Sequence, residues 1–366
     1  MKPRILDEGI ISHDPSTSAF MPVLTPLSDG SWIAVQYTAS ALGAPDTEVQ
    51  IYKSQDQGAS WHQQPGLGAA AEADQWSYRE SAITELPEGR LVMMSNRFRF
   101  AGKVLFDETT GASQYSERVL FWSEDGGTSW SAPQVVPIDL PSDRYTCHGM
   151  GRLLTLASDR WMYPLQTGMP KGAARRDHKA AAVFSFDGGQ TWGDLTVVAD
   201  DPNGRVEYHD QNTTVLPNGN LYTMFWAVDD VEQSDMSNHW AVSEDLARTW
   251  SKPQPTNLRG QVCCPIALPD GRVAAIYNFR HPPDGVRLAI SSNQSEFDLD
   301  NEIVVFDAAG ETTTGEAASD TVLNRNMKIA FGRPNGVRLP DSDLLVSYWC
   351  TRDGVTHGCW ARIAVA

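Results

Sequence analysis

The apolar positions of this chain fall in short runs separated by polar turns, and the runs pair up. Six times an apolar run ends in Leu-(Pro)-Asp-Gly or a variant of it, and a second apolar run follows. The anchoring leucines are Leu27 (Leu-Ser-Asp-Gly), Leu86 (Leu-Pro-Glu-Gly), Leu156 (Leu-Ala-Ser-Asp), Leu216 (Leu-Pro-Asn-Gly), Leu268 (Leu-Pro-Asp-Gly) and Leu339 (Leu-Pro-Asp-Ser). Turn residues between two short apolar runs signal a β-hairpin, because Gly, Asn and Asp take the backbone conformations a tight turn needs. The spacing suits four-stranded units with loops of differing length and predicts six of them.

A second repeat follows these hairpins. The pattern Ser-x-Asp-x-x-x-(Ser/Thr)-Trp stands at Ser54–Trp61, Ser123–Trp130, Ser185–Trp192 and Ser243–Trp250, with a decayed copy at Ser291–Phe297. In each copy Ser and Asp can hydrogen-bond the backbone of a tight turn, Gly supplies a positive φ, and Trp can pack beneath the hairpin. This resembles the Asp box of the sialidase superfamily, the BNR repeat. The resemblance implies an all-β fold, a six-bladed β-propeller of four-stranded antiparallel blades, as a single domain over 1–366. The segment from Ile5 to Ile11 is expected to complete the last blade beside His357–Ile363, leaving no free sheet edge.

With 41% hydrophobic residues the chain can bury a large core, and a net charge of −17 argues against nucleic acid or an anionic membrane as partner. No apolar run has signal-peptide or membrane-spanning length, which leads to the expectation of a cytoplasmic protein, with a processed secreted form as the alternative. The five cysteines, Cys147, Cys263, Cys264, Cys350 and Cys359, fit reduced thiols, with a Cys350–Cys359 bridge as the rival. No cofactor is expected. A metal is not expected either, since no spacing demands one, although His148, His209, Asp210 and Glu207 can ligate a cation if they converge.

In a propeller the inner strands converge on a central ligand site. Counting six residues back from each anchoring leucine gives an equivalent ring: Met21, Glu80, Met150, Asp210, Val262 and Arg333. Around it stand Arg79, His148, Glu207, Tyr208, His209 and Gln261. Ring charges that pair with each other and plug the channel are the alternative, with Glu80 bonded to Arg79 or Arg97. Long insertions at Phe100–Ser116, Gln166–His178, Trp226–His239 and Asp307–Lys328 carry further charged groups, among them Lys103, Asp107, Glu108, Arg175, Arg176, Asp177 and His178.

The sialidase resemblance implies a glycoside hydrolase, but the family's site residues do not carry over. Phe20-Met21-Pro22 stands where the family has Arg-Ile-Pro, Trp226 stands near its second arginine, and Arg333 or Phe331 occupies the place of its tyrosine nucleophile. Blade 5, Gly260-Gln261 onward to Arg287, resembles the version in uncharacterised bacterial sialidase-like hydrolases more than true sialidases. The expected activity is hydrolysis of an oligosaccharide or glycoside bearing an acidic sugar. Glycoside hydrolysis commonly uses two carboxylates, and Glu80, Glu207 and Asp210 are the candidates, with His209 or His148 as acid/base. Arg79, Arg97, Arg280 and Arg333 can bind an acidic sugar, aided by Tyr208 and Gln261. Two alternatives stand: a polysaccharide lyase using a His/Tyr pair and an arginine, and a non-catalytic glycan- or protein-binding propeller.

Overall fold

The computed structural model describes residues 2–12, 14–67, 76–100, 105, 112–141, 145–149, 151–169, 177–309, 311 and 329–365. The chain is an all-β, six-bladed propeller of antiparallel sheets. Blade 1 runs from the pocket outward as Ser18–Pro26, Trp32–Ala39, Glu48–Ser54 and His62–Gln63. Blade 2 follows as Ser77–Glu85, Leu91–Arg99, Tyr115–Ser123 and Gln134–Val136. Blade 3 has Cys147–Gly149 and Leu154–Thr155 side by side on Trp161–Thr167, then Ala180–Ser185 and Gly193–Ala199. Blade 4 is Val206–Val215, Leu221–Asp229, His239–Ser243 and Gln254–Pro255, and blade 5 is Cys263–Ala267, Val273–Phe279, Gly285–Ile290 and Ile303–Asp307.

The last blade closes the ring as its sequence foretold. Phe331–Arg338, Leu344–Arg352 and Val355–Ala364 come from the C-terminal end, and Arg4–Ile10 adds the outer strand. Arg4 lies opposite Ala364 and Ile10 opposite Cys359. Second strands such as Trp32–Ala39 and Leu221–Asp229 are buried along their whole length, because each is covered by a blade on both faces. The core therefore lies between blades: Met94, Leu120 and Tyr163 belong to one cluster, and Ile276, Val346 and Ala361 to another.

The Ser-x-Asp turns have one shared geometry. In Ser185–Trp192, Ser185 Oγ donates to Asp187 Oδ1 (2.8 Å), and Thr191 donates to the same carboxylate through N (2.9 Å) and Oγ1 (2.6 Å). Gly189 N donates to Ser185 Oγ (2.8 Å). The copies at Asp56, Asp125 and Asp245 repeat this pattern. These donors hold each of the four carboxyls down at about 2, the hydroxyl of the Ser or Thr four residues on being the main cause. The glycine serves packing as well as the turn. A Cβ on Gly58 (φ 93°) would sit 2.5 Å from Trp360 of blade 6, and one on Gly127 would sit 2.6 Å from Ile33 of blade 1. The boxes thus dock one blade against the one before it.

One arginine ties four blades together. Arg152, just past the first strand of blade 3, donates to Leu24 O (2.5 Å) and Thr25 Oγ1 (2.9 Å) of blade 1, to Ile83 O (3.4 Å) of blade 2, and to Asn335 Oδ1 (2.9 Å) of blade 6. Burial pushes its guanidinium down to about 10, still a cation at neutral pH. The thiols are free: Cys350 and Cys359 share an S–H···S hydrogen bond at 3.4 Å and form no disulfide.

Candidate active site

Four ring positions share a backbone feature that alternation alone does not produce. Met21 (φ 52°), Glu80 (56°), Asp210 (52°) and Arg333 (48°) are left-handed non-glycine residues. Each lies at a β-bulge, where the register slips between Phe20 and Val23, Arg79 and Ala82, His209 and Asn212, and Gly332 and Asn335. A bulge inserts a residue outside the ladder and re-aims its side chain, and L-residues hold this conformation only at a cost of about 1–3 kcal/mol each. The same device at one place in four blades turns two carboxylates, a guanidinium and a thioether toward one pocket. Val262 also lines that pocket, just before a first strand whose register is unbroken. Met150 lies outside the described residues, as do Lys103, Asp107, Glu108, Arg175 and Arg176.

The pocket is a cavity of about 100 Å³. Its polar wall includes Glu80, His148, Gln166, His209, Asp210, Arg280 and Arg333, and Trp226, Trp349, Leu42 and Ile329 supply apolar surface. Asp210 Oδ1 accepts from Arg333 Nη1 at 2.8 Å. Burial nevertheless raises the Asp210 carboxyl to about 6; Arg333 and Arg280 oppose the shift and the negative charge of Glu80 adds to it. The bulged backbone is tied down, because Asp210 N donates to Gln166 Oε1 at 2.8 Å. Gln166 Nε2 lies 2.7 Å from His148 Nε2, and burial pushes His148 below its ordinary value, so the neutral ring accepts that bond.

Glu80 is held from its own blade. Asn96 Nδ2 donates to Glu80 Oε2 (2.6 Å) and to Gly149 O (2.9 Å), while Asn96 Oδ1 accepts from Gly149 N (2.7 Å). The expected partner of Glu80, Arg79 or Arg97, is therefore corrected to an asparagine. Arg79 is buried at the pocket wall, and its guanidinium donates to Leu42 O (3.3 Å) and Ala44 O (2.7 Å), propping a blade 1 loop. Arg97 forks onto Glu117 Oε2 (2.8 and 2.5 Å) and lies over Trp76, away from the pocket lining.

Other expectations separate along strand faces. Tyr208 packs its buried ring on Phe225 and His239 between blades 3 and 4, opposite in face to Glu207 and His209, so the tyrosine of the expected lyase pair does not line the pocket. Glu207 does not line it either; its carboxylate meets His209 Nε2 at 3.0 Å and faces a neighbouring cavity. Gln261 receives Arg280 Nη1 on its Oε1 and donates to Asp235 Oδ2 at 2.7 Å, and Arg280 Nη2 also donates to Phe331 O at 3.1 Å. Gln261 thus aims the Arg280 guanidinium, and Asp235 in turn accepts from Trp226 Nε1 at 2.8 Å.

Asn96, Gln166 and Asp235 were missed by sequence reasoning. Asn96 had a signal, since it lies directly opposite Arg79 in the blade 2 hairpin, one residue from the ring position.

The fold and its repeats together define a sialidase-like BNR propeller. The chain belongs to the family of BNR repeat-like domains, whose model matches residues 30–313. Among solved structures, it is similar to a protein of unknown function from Dyadobacter fermentans (TM-score 0.76, 18% identity, covering 100% of both chains). It is also similar to the Penicillium chrysogenum alpha-L-arabinanase complexed with arabinobiose (TM-score 0.67, 14% identity, 99% of this chain and 98% of that one). A third is the intramolecular trans-sialidase from Ruminococcus gnavus in complex with oseltamivir carboxylate (TM-score 0.61, 13% identity, 95% and 94%). No curated protein matches the chain in sequence.

Proposed function

We propose that the protein is a glycoside hydrolase that binds an acidic sugar in the central pocket. The observation that carries this reading is the pairing of Glu80 and Asp210: equivalent bulged positions of blades 2 and 4 line one small cavity, and Asp210 has its carboxyl raised to about 6. A carboxyl near 6 keeps a proton at mildly acidic pH and can deliver it to the leaving glycosidic oxygen. Glu80, fixed by Asn96 Nδ2, serves as base or nucleophile on the other side of the ring. Arg280 and Arg333 offer guanidinium charge to a sugar carboxylate, and Trp226 and Trp349 give the ring an apolar face. The fold shared with an arabinanase and a trans-sialidase supports a glycan as ligand.

The test is a panel of oligosaccharides, uronate-bearing and neutral, incubated with wild type and with Glu80→Gln and Asp210→Asn, and read by mass spectrometry. Each variant is expected to lose about 10²–10⁴-fold in turnover, with Glu80→Gln melting within about 2 °C of wild type as its charge is replaced at constant shape. Wild-type turnover in either variant would overturn the assignment. Binding of a glycan by wild type with no change in mass would favour a non-catalytic propeller instead.

A further inference from the structure

Beside the central pocket, two histidines and a carboxylate meet in a way that the hydrolase reading does not use. One donor atom from each of His178, Glu207 and His209 lies within 4.8 Å of the other two. Glu207 and His209 sit two apart on the straight stretch of Val206–Val215 before the bulge, so their side chains leave the same face. Their side chains are only 5% and 3% exposed. His178 arrives from blade 3, and its ring centroid is 3.8 Å from that of His209.

The segment bearing His178 is fixed on both sides. Thr167 Oγ1 donates to Asp177 O (2.8 Å) and accepts from Lys179 N (2.9 Å). Tyr145 donates to Asp177 Oδ2 (2.9 Å), and Lys179 Nζ bridges Asp177 (2.7 Å) and Asp200 (3.1 Å). A ligand held this way loses little freedom when it binds. A cavity of about 380 Å³ adjoins the group, lined by His178 and Glu207 together with Asp177, Asp200, Asp201 and Lys179. Among the described lining residues other than Glu207, three carboxylates against one ammonium favour a cation.

We propose that His178, Glu207 and His209 form a binding site for a divalent transition metal of the zinc type. Two imidazoles with one carboxylate suit zinc, whereas calcium and magnesium take all-oxygen sets. Zinc bonds of about 2.0–2.1 Å draw their donors to roughly 3.4 Å from each other, a side-chain adjustment from the arrangement present. Three protein ligands would leave a further position for water or a solute, and two of the three, His178 and Glu207, line the 380 Å³ cavity. The third, His209, lines the central pocket, so the three ligands would link the walls of the two cavities. The proposal does not depend on hydrolase activity, because its test reads binding alone.

Tag-free protein is stripped with EDTA and titrated with zinc chloride by calorimetry, in competition with a chromophoric chelator, with calcium chloride as a parallel arm. One equivalent of zinc is expected to bind at micromolar affinity or tighter, calcium not to bind, and His178→Ala and Glu207→Gln each to weaken zinc by about 100-fold or more. Cobalt(II) in the same site is expected to give visible absorption bands that His178→Ala abolishes. His178 lies outside the buried core, and circular dichroism of that variant confirms its fold. Absence of zinc binding by wild type at 100 µM, about the weakest affinity of interest, would overturn the proposal. So would undiminished binding in both folded variants, which would place the ion on other residues such as the cysteines.

Discussion

Asp210 of blade 4 and Arg333 of blade 6, 123 positions apart in sequence, meet at 2.8 Å across the pocket, each on the left-handed residue of its own bulge. The contact does not make Asp210 a strong acid, because the loss of water on burial outweighs the arginine's attraction.

That balance would set the pH dependence of the proposed hydrolysis. If Asp210 donates the proton, turnover is expected to fall as pH rises through about 6. Arg333 lowers the Asp210 pKa, so Arg333→Met is expected to move this limb to higher pH while weakening binding of acidic glycans. A pH profile of kcat/KM for the two proteins checks both signs; a limb that moves to lower pH contradicts the electrostatic assignment.

Gly58 faces Trp360 so closely that a methyl group has no room, and its φ of 93° disfavours any other residue. Gly58→Ala is expected to cost about 1–3 kcal/mol, through overpacking and backbone strain at the seam between blades 1 and 6. Urea denaturation followed by tryptophan fluorescence measures it. In the fourth box Ala247 occupies the equivalent place at φ 65°, fully buried, so the cost belongs to the Trp360 contact as much as to the turn.

Asp187 touches the turn and nothing of the pocket. Asp187→Ala is expected to lower the melting temperature by on the order of 2 °C at neutral pH and to leave glycan turnover unchanged. The folded carboxyl sits at about 2, below its ordinary 3.8, because Thr191 and Ser185 donate to it. Its contribution is therefore present above pH 3.8 and lost as pH falls through about 2, so the two melting curves are expected to converge over that interval.

The hairpin leucines carried most of what the sequence could reveal. Because the turn sequence fixes the chain at one end of each first strand, a constant count of six reached Met21, Glu80, Asp210 and Arg333, all of which line the pocket. The bulges that turn them inward were not legible, since nothing in Phe20-Met21-Pro22 or Arg79-Glu80-Ser81 marks a left-handed residue. Partner choice was not legible either. Arg79 and Glu80 are neighbours in sequence, yet the bulge sends one to the carbonyls of Leu42 and Ala44 and the other to Asn96. His178 was visible only as one charge in a long insertion; its meeting with Glu207 and His209 depends on how blades 3 and 4 abut.

Arg152 concentrates the ring's cross-blade ties in one place. With one guanidinium gripping blades 1, 2 and 6 from blade 3, four blades share a single side chain as their common tie. Truncating Arg152 would take the shared donor from the Leu24 and Ile83 carbonyls, the Thr25 hydroxyl and the Asn335 amide together, so a single substitution would loosen four blades at once.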